Sequence, residues 1–214
     1  MSPELVIVGC GGHGRELLGI VRAVNDAAAG GPVWQVRGFV DDDPTEENRK
    51  RVQRLGVPWL GPVSSLADAG DAHVVLGVGD PRARGRVARR VDAYGLPAAV
   101  LVHPDATLGA DARVGEGTVL FAGARVTTNV TLGRHVHLNQ NAAVGHDCVF
   151  GDHVSVNPLA AVSGGCRLDP EVLIGAGAVV LQGLRVGAGA TVGAAACVVR
   201  DVPPGVVVKG VPAR

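Results

Sequence analysis

Apolar residues recur at a fixed interval of six over the C-terminal half of the chain. Val102, Leu108, Val114, Leu120 and Val126 begin a series that runs without insertion to Val198. Four residues beyond most of these positions stands a second small or branched residue, as at Ala112, Thr118, Ala124, Val130 and Val136. An α-helix cannot use this interval, because six residues rotate it by about 600° and sweep the apolar residue around the cylinder. Six residues suit one short straight side and one corner of a coil, the hexapeptide signature of a parallel β-helix. Gly109, Gly115, Gly117, Gly123, Gly133, Gly145, Gly151, Gly175, Gly187 and Gly193 fall between the apolar positions. They are expected at the corners, where unusual backbone angles arise. With three sides per coil, residues eighteen apart stack at a strand spacing of roughly 4.8 Å. Asn139 then lies beneath Asn157, Cys148 beneath Cys166 and His135 beneath His153.

The N-terminal stretch follows another pattern. Leu5-Val6-Ile7-Val8 is a short apolar strand running into Gly9-Cys10-Gly11-Gly12-His13-Gly14 and a helical pattern over 15–25. Strands are expected over 33–40 and 74–77, and a basic helix over 82–94 with Asp80 as its N-cap and Pro81 in its first turn. Most arginines of that helix belong on a solvated face, with Arg84, nearest the strand end, the exception. The strand–glycine turn–helix unit, spaced G-x-G-x-x-G, brings a phosphate against backbone N–H groups at a helix N-terminus. Alone it suggests a dinucleotide-dependent oxidoreductase. Only about 95 residues precede the coil, however, and a full dinucleotide fold needs two βαβαβ halves. One half suits a mononucleotide, such as the nucleotide part of an activated sugar. The 33–40 strand ends in Asp41-Asp42-Asp43-Pro44, where a carboxylate could accept from ribose or base, or simply form a solvated acidic turn. Two domains are expected, 1–101 and 102–214, with His103-Pro104 marking the change.

Composition narrows the class. Lys plus Arg equals Asp plus Glu, 20 against 20, which gives no electrostatic case for nucleic acid or an anionic membrane. Aromatic residues make up only 3% of the chain, as suits a narrow prism filled by aliphatics. No basic leader precedes the first strand and no segment is long enough to span a bilayer, so a cytoplasmic protein is expected. Cys10, Cys148, Cys166 and Cys197 form no CxxC pair. The last three are expected at inward positions as reduced packing thiols. Outward Ala188, Ala194 and Ala195 suggest a flat apolar face that a closed cyclic oligomer would bury.

His135, His137, His146 and His153 fall within two coils. His137 and His146 are displaced from the His135–His153 column and Cys148 points inward, so converging metal ligands are not expected. A general base fits better at His146, because Asp147 follows it and can orient the imidazole. Spacing alone leaves open whether His146 is that base or a structural residue.

The segments VIVGCGGHGRE, GFVDDDP, GVGDPRAR, VGHDCVFGDHVSVNPLAAVSGG and VVVKGVPAR occur in that order. Together they resemble the sialic-acid O-acetyltransferase-like (NeuD/PglD-type) sugar acyltransferases, over essentially the whole chain. That family includes N-acetyltransferases of nucleotide-linked 4-amino sugars. The resemblance implies an α/β N-terminal Rossmann-like half domain followed by an all-β, left-handed parallel β-helix. It implies homotrimers with acetyl-CoA as co-substrate in the groove between prisms, and no permanently bound cofactor. The reaction implied is direct acetyl transfer to a sugar amine or hydroxyl. By position, His146 resembles the catalytic base and Asp147 its acidic neighbour. Gly11, Gly12, His13, Gly14, Asp41, Asp42 and Gly79 resemble nucleotide-sugar contacts, and Ala176 and Ala194 resemble contacts to the CoA arm. Relatives often carry a second histidine nine residues past the base, touching acetyl-CoA; here it is Ser155, with His137 and His153 placed to compensate. The alternative is a catalytically idle trimer that binds a nucleotide sugar or scaffolds a partner.

Overall fold

The structure, a computed structural model, describes residues 2–214. In the N-terminal domain the order is β1 (Glu4–Val8), α1 (Gly12–Ala27), β2 (Gln35–Val40), α2 (Glu46–Arg54), β3 (Trp59–Gly61), a 3-10 turn (Val63–Asp68), β4 (His73–Leu76) and α3 (Pro81–Asp92). The strands form one parallel sheet in the order β3-β2-β1-β4. The order reverses at β1, so the crevice outside the ends of β1 and β4 is where such sheets take ligands. Local chemistry sets the helices. Asp80 caps α3, its Oδ1 accepting from the Ala83 N–H at 2.7 Å, with Pro81 in the first turn as expected. Thr45 caps α2, which carries Glu46 and Glu47 in its first turn and Arg51 and Arg54 in its last, aligned with the helix dipole. The sequence reading did not foresee α2 or β3.

From Leu101–Val102 onward the chain coils as a left-handed parallel β-helix of two-residue strands. Three parallel sheets form a triangular prism. Face I holds seven strands, from Leu101–Val102 to Val207–Val208. Face II holds six, from Thr107–Leu108 to Cys197–Val198, and face III five, from Arg113–Val114 to Arg185–Val186. Partners are eighteen residues apart, as His137 with Ser155 or Val149 with Arg167, except in the last pair, Thr191 with Val207. The expected stacks form: the Asn139 amide donates to Asn157 Oδ1 at 3.3 Å, and the His135 and His153 rings lie parallel with centroids 5.3 Å apart. The period-six aliphatics fill the prism.

Three expectations need correction. The corner glycines are of two kinds. Positive φ occurs at every sixth residue from Asp111 to Ala195, and of the glycines expected there only Gly117 and Gly123 fall in that series. The others permit close stacking: a Cβ on Gly145 would lie 2.5 Å from the Gly164 nitrogen, and one on Gly175 2.5 Å from the Ala194 nitrogen. Cys197 is outward and half-buried, because its neighbour Val198 takes the inward place; Cys148 and Cys166 are buried thiols. Ala188, Ala194 and Ala195 do not share a face, since Ala188 lies between the strands Arg185–Val186 and Thr191–Val192, and the others beyond Thr191–Val192. The outward column of face II is instead uncharged above Arg125, through Ala143, Ala161, Val179 and Cys197.

The N-terminal domain sits on face I. Leu101, Val119 and Phe121 share a core with Leu5, Ile7 and Leu17. Arg84, fully buried, stitches the two parts together. Its Nε donates to the His135 carbonyl at 3.0 Å and its Nη1 to the carbonyls of Val78 and Gly79 at 2.8 and 3.1 Å. Its Nη2 reaches the His153 carbonyl at 2.8 Å and Ser155 Oγ at 2.9 Å. Among the described residues no helix is long and apolar enough to cross a membrane.

Candidate active site

His146 stands at the corner between faces II and III, the corner opposite the docked domain. Its coil can pass closely under the next because Gly145 has no side chain. Asp147 takes the left-handed conformation at φ 59°. That turn brings its carboxylate back, and Oδ2 lies 2.7 Å from His146 Nδ1. A carboxylate there accepts the Nδ1 proton, which leaves the Nε2 lone pair free to take another. The His146 side chain is 66% exposed at this corner. Hydrogen bonds from His146 first, and then Asn129, hold the Asp147 carboxyl below its ordinary range. The ring rests on Gly164, one coil above, where a Cβ would lie 2.6 Å from Nε2.

The glycine turn forms the second element. Gly14 packs directly on the Gly9 carbonyl and Gly77 on Gly14, so these glycines set the approach of α1 to the sheet. Gly11 differs, because a Cβ there would meet nothing within 4 Å. It is the N-cap of α1 and supplies no side chain to cap the first amides of the helix. Gly12 lines a cleft of about 550 Å³ with Arg15, Glu16, Arg51 and Arg54. Asp41 and Asp42 line a smaller one of about 110 Å³ with Gly9 and Arg90. Both carboxylates already brace the fold. Asp41 accepts from the Cys10 N–H at 2.8 Å, and Asp42 from Arg90 at 2.7 Å and the Val63 N–H at 3.0 Å. The Arg90 hydrogen bond holds the Asp42 carboxyl below the usual range.

His13 turns from the cleft toward the prism. Its Nε2 meets His137 Nδ1 at 2.8 Å and its ring stacks on that of His137. Gly79 lies beside it, a Cβ there being 3.8 Å from the His13 ring. Burial, aided by the Arg84 charge, lowers the His13 pKa to about 4. His137 and Ser155 have no exposed surface beneath the N-terminal domain, contrary to the expected contact with acetyl-CoA. His153 is half-buried against α3, where a Cβ on Gly85 would lie 3.4 Å from its ring. Ala176 and Ala194 are exposed and stack along the edge between faces I and II, across face II from His146. The sequence reading missed Asn129 and Gly164, although each is eighteen residues from one member of the dyad. Among the described residues no group of three or more His, Cys, Asp or Glu side chains could hold a metal ion.

A left-handed hexapeptide prism joined to half a nucleotide fold is the architecture of the sugar acyltransferases that this chain resembles. Comparison with known proteins agrees. Residues 4–91 match the family model described as the PglD N-terminal domain. The chain is 30% identical over 148 residues to the GDP-perosamine N-acetyltransferase of Escherichia coli O157:H7, an alignment spanning 66% of this chain and 62% of that relative. Among solved structures, a mutant of perosamine N-acetyltransferase from Caulobacter crescentus in complex with CoA and GDP-perosamine superposes with a TM-score of 0.88 at 32% identity. That match covers 99% of this chain and 95% of the other. The acetyltransferase domain of PglB from Neisseria gonorrhoeae, in complex with acetyl coenzyme A, superposes with a TM-score of 0.82 at 32% identity, covering 100% and 99%. The chain belongs to the NeuD/PglD-type family of sugar acyltransferases.

Proposed function

We propose that this protein transfers the acetyl group of acetyl-CoA to the amine of a nucleotide-linked amino sugar, with His146 as general base. The observation that carries the reading is the 2.7 Å contact between His146 Nδ1 and Asp147, which leaves the Nε2 lone pair of an exposed side chain free. As the sugar nitrogen bonds to the thioester carbonyl carbon, Nε2 takes the proton that the nitrogen loses. Collapse of the tetrahedral adduct breaks the C–S bond, and the proton on His146 can pass to the departing thiolate. Asp147 stabilises the imidazolium in between. The names of the similar proteins, N-acetyltransferases bound to CoA and GDP-perosamine, support amine rather than hydroxyl as acceptor.

The reading also requires a second chain. The glycine turn lies over face I, whereas His146 stands at the corner opposite that face. A sugar held at Gly11 and Gly12 therefore meets the His146 of a neighbour. A cyclic trimer joined through the uncharged face II column completes each such site once. Ala176 and Ala194, on the far edge of face II, then border the groove for the CoA arm. Asp41, Asp42 and Gly79 frame the nucleotide part beside the turn, with His13 and Gly14 holding the turn in place.

The test is release of free thiol from acetyl-CoA over a panel of nucleotide amino sugars. A protein that binds such sugars without releasing thiol would be the idle trimer instead. Mixing two inactive variants, His146→Ala and Gly11→Val, should restore about a quarter of the sites if each joins two chains. No recovery after subunit exchange would mean that one chain holds the whole site.

A further inference from the structure

We propose that Asn129 is a positioning residue, holding Asp147 so that His146 keeps its proton on Nδ1 and its lone pair on Nε2. The inference rests on the reading of His146 as base. Asn129 occupies Asp147's place one coil below, eighteen residues earlier, and both are left-handed, at φ 56° and 59°. The stacking directs the Asn129 amide upward, and Nδ2 donates to Asp147 Oδ1 at 3.2 Å. Asp147 Oδ2 is the atom that meets His146 Nδ1. The carboxylate is thus held at both oxygens, one by a fixed amide below and one by the imidazole beside it. With the lower bond removed the carboxylate can rotate about its own χ angles, and the ring loses the partner that fixes its tautomer.

Charge explains why the position carries an amide. The residue one further coil down is Asp111, in the same left-handed column, and Arg113 and Thr131 flank the cleft beside it. An acid at 129 would put three carboxylates in one stack. Asparagine donates upward and adds no charge.

Asparagine also suits a left-handed corner for purely local reasons, so the test must separate the two roles. Glycine adopts that conformation as readily and removes the amide. Asn129→Gly should therefore keep the thermal midpoint and both KM values while kcat falls about tenfold, on the order of one hydrogen bond to a charged group. The ring nitrogens of His146, observed by ¹⁵N NMR, should change from a single Nδ1–H tautomer to a mixture. Asn129→Asp should raise the pKa seen in the kcat profile, because added negative charge favours the imidazolium. Wild-type kcat and tautomer in Asn129→Gly would overturn the proposal, and reduce Asn129 to a corner residue. His146→Ala is run in parallel: if it keeps turnover, the base reading fails and the role of Asn129 fails with it. If it is inactive while Asn129→Gly is normal, only the present inference is lost.

Discussion

The Arg84 guanidinium donates to the Ser155 hydroxyl at 2.9 Å, and that hydroxyl donates on to the Gly79 carbonyl at 3.1 Å. Position 155 is therefore part of the seam between the domains. Arg84 has no carboxylate within its own hydrogen-bond set; backbone carbonyls from three segments surround it instead. Burial lowers its pKa to about 9, so it stays charged at neutral pH.

Removing that cation should open the seam. Arg84→Met would leave the carbonyls of Val78, His135 and His153 without their Arg84 donor, and that of Gly79 with Ser155 alone. A loss of about 3 kcal/mol or more is expected in denaturant unfolding, from buried groups left unpaired. Arg84→Lys should recover part of it, having fewer donors. An unchanged midpoint in Arg84→Met would show that the carbonyls find other partners.

The same seam should be acid-sensitive. Burial holds His13 and His135 at about pKa 4 and drives His137 well below its ordinary value; His153 is lowered as well. An unfolded histidine titrates near 6.5. These groups are neutral in the folded seam and take up protons on unfolding, so their contribution is full above pH 6.5. It falls away as pH drops toward 4. The denaturant midpoint should be lower at about pH 5 than at about pH 7.5. His137→Ala and His153→Ala should act on this midpoint and leave the KM for acetyl-CoA largely unchanged.

Gly164 is the seat of the His146 ring, and its backbone needs no left-handed angle. Gly164→Ala should fold normally and put its methyl 2.6 Å from Nε2, too close for the ring to stay in place. Turnover should fall by about 10² from displacement of the base. Calorimetry alongside the thiol assay would separate this from misfolding, and normal turnover would mean that the ring has another productive position.

Much of this was legible in the sequence because the prism is periodic. A spacing of six pointed to a parallel β-helix, its left hand following only from the family resemblance, and a spacing of eighteen showed which residues stack. That second rule points from His146 to Gly164 and from Asp147 to Asn129, so both supporting residues could have been found from it. The docking face was not legible. Leu101, Val119, His137 and Ser155 occupy outward positions like those of any other column, and only the tertiary arrangement covers them. Helix α2 was missed because Glu46–Arg54 buries Val52 alone and shows no apolar stripe. The cap at Thr45 and the ordering of acids before bases were its available signals.

The base itself gives the most direct test. His146 is exposed and fills no core, so His146→Ala should leave assembly and both ligand affinities nearly intact. Turnover should fall by roughly 10²–10⁴, the usual worth of a positioned base. Asp147→Asn keeps the shape and removes the charge that favours the imidazolium, so its damage should be smaller. The pKa governing its rate profile should move down, because the charged form of His146 loses its partner. Rates are compared from about pH 5.5 to 9 at saturating acetyl-CoA, with thiol release as the signal. If Asp147→Asn raised that pKa, or His146→Ala kept near-normal turnover, the dyad would not be the proton acceptor.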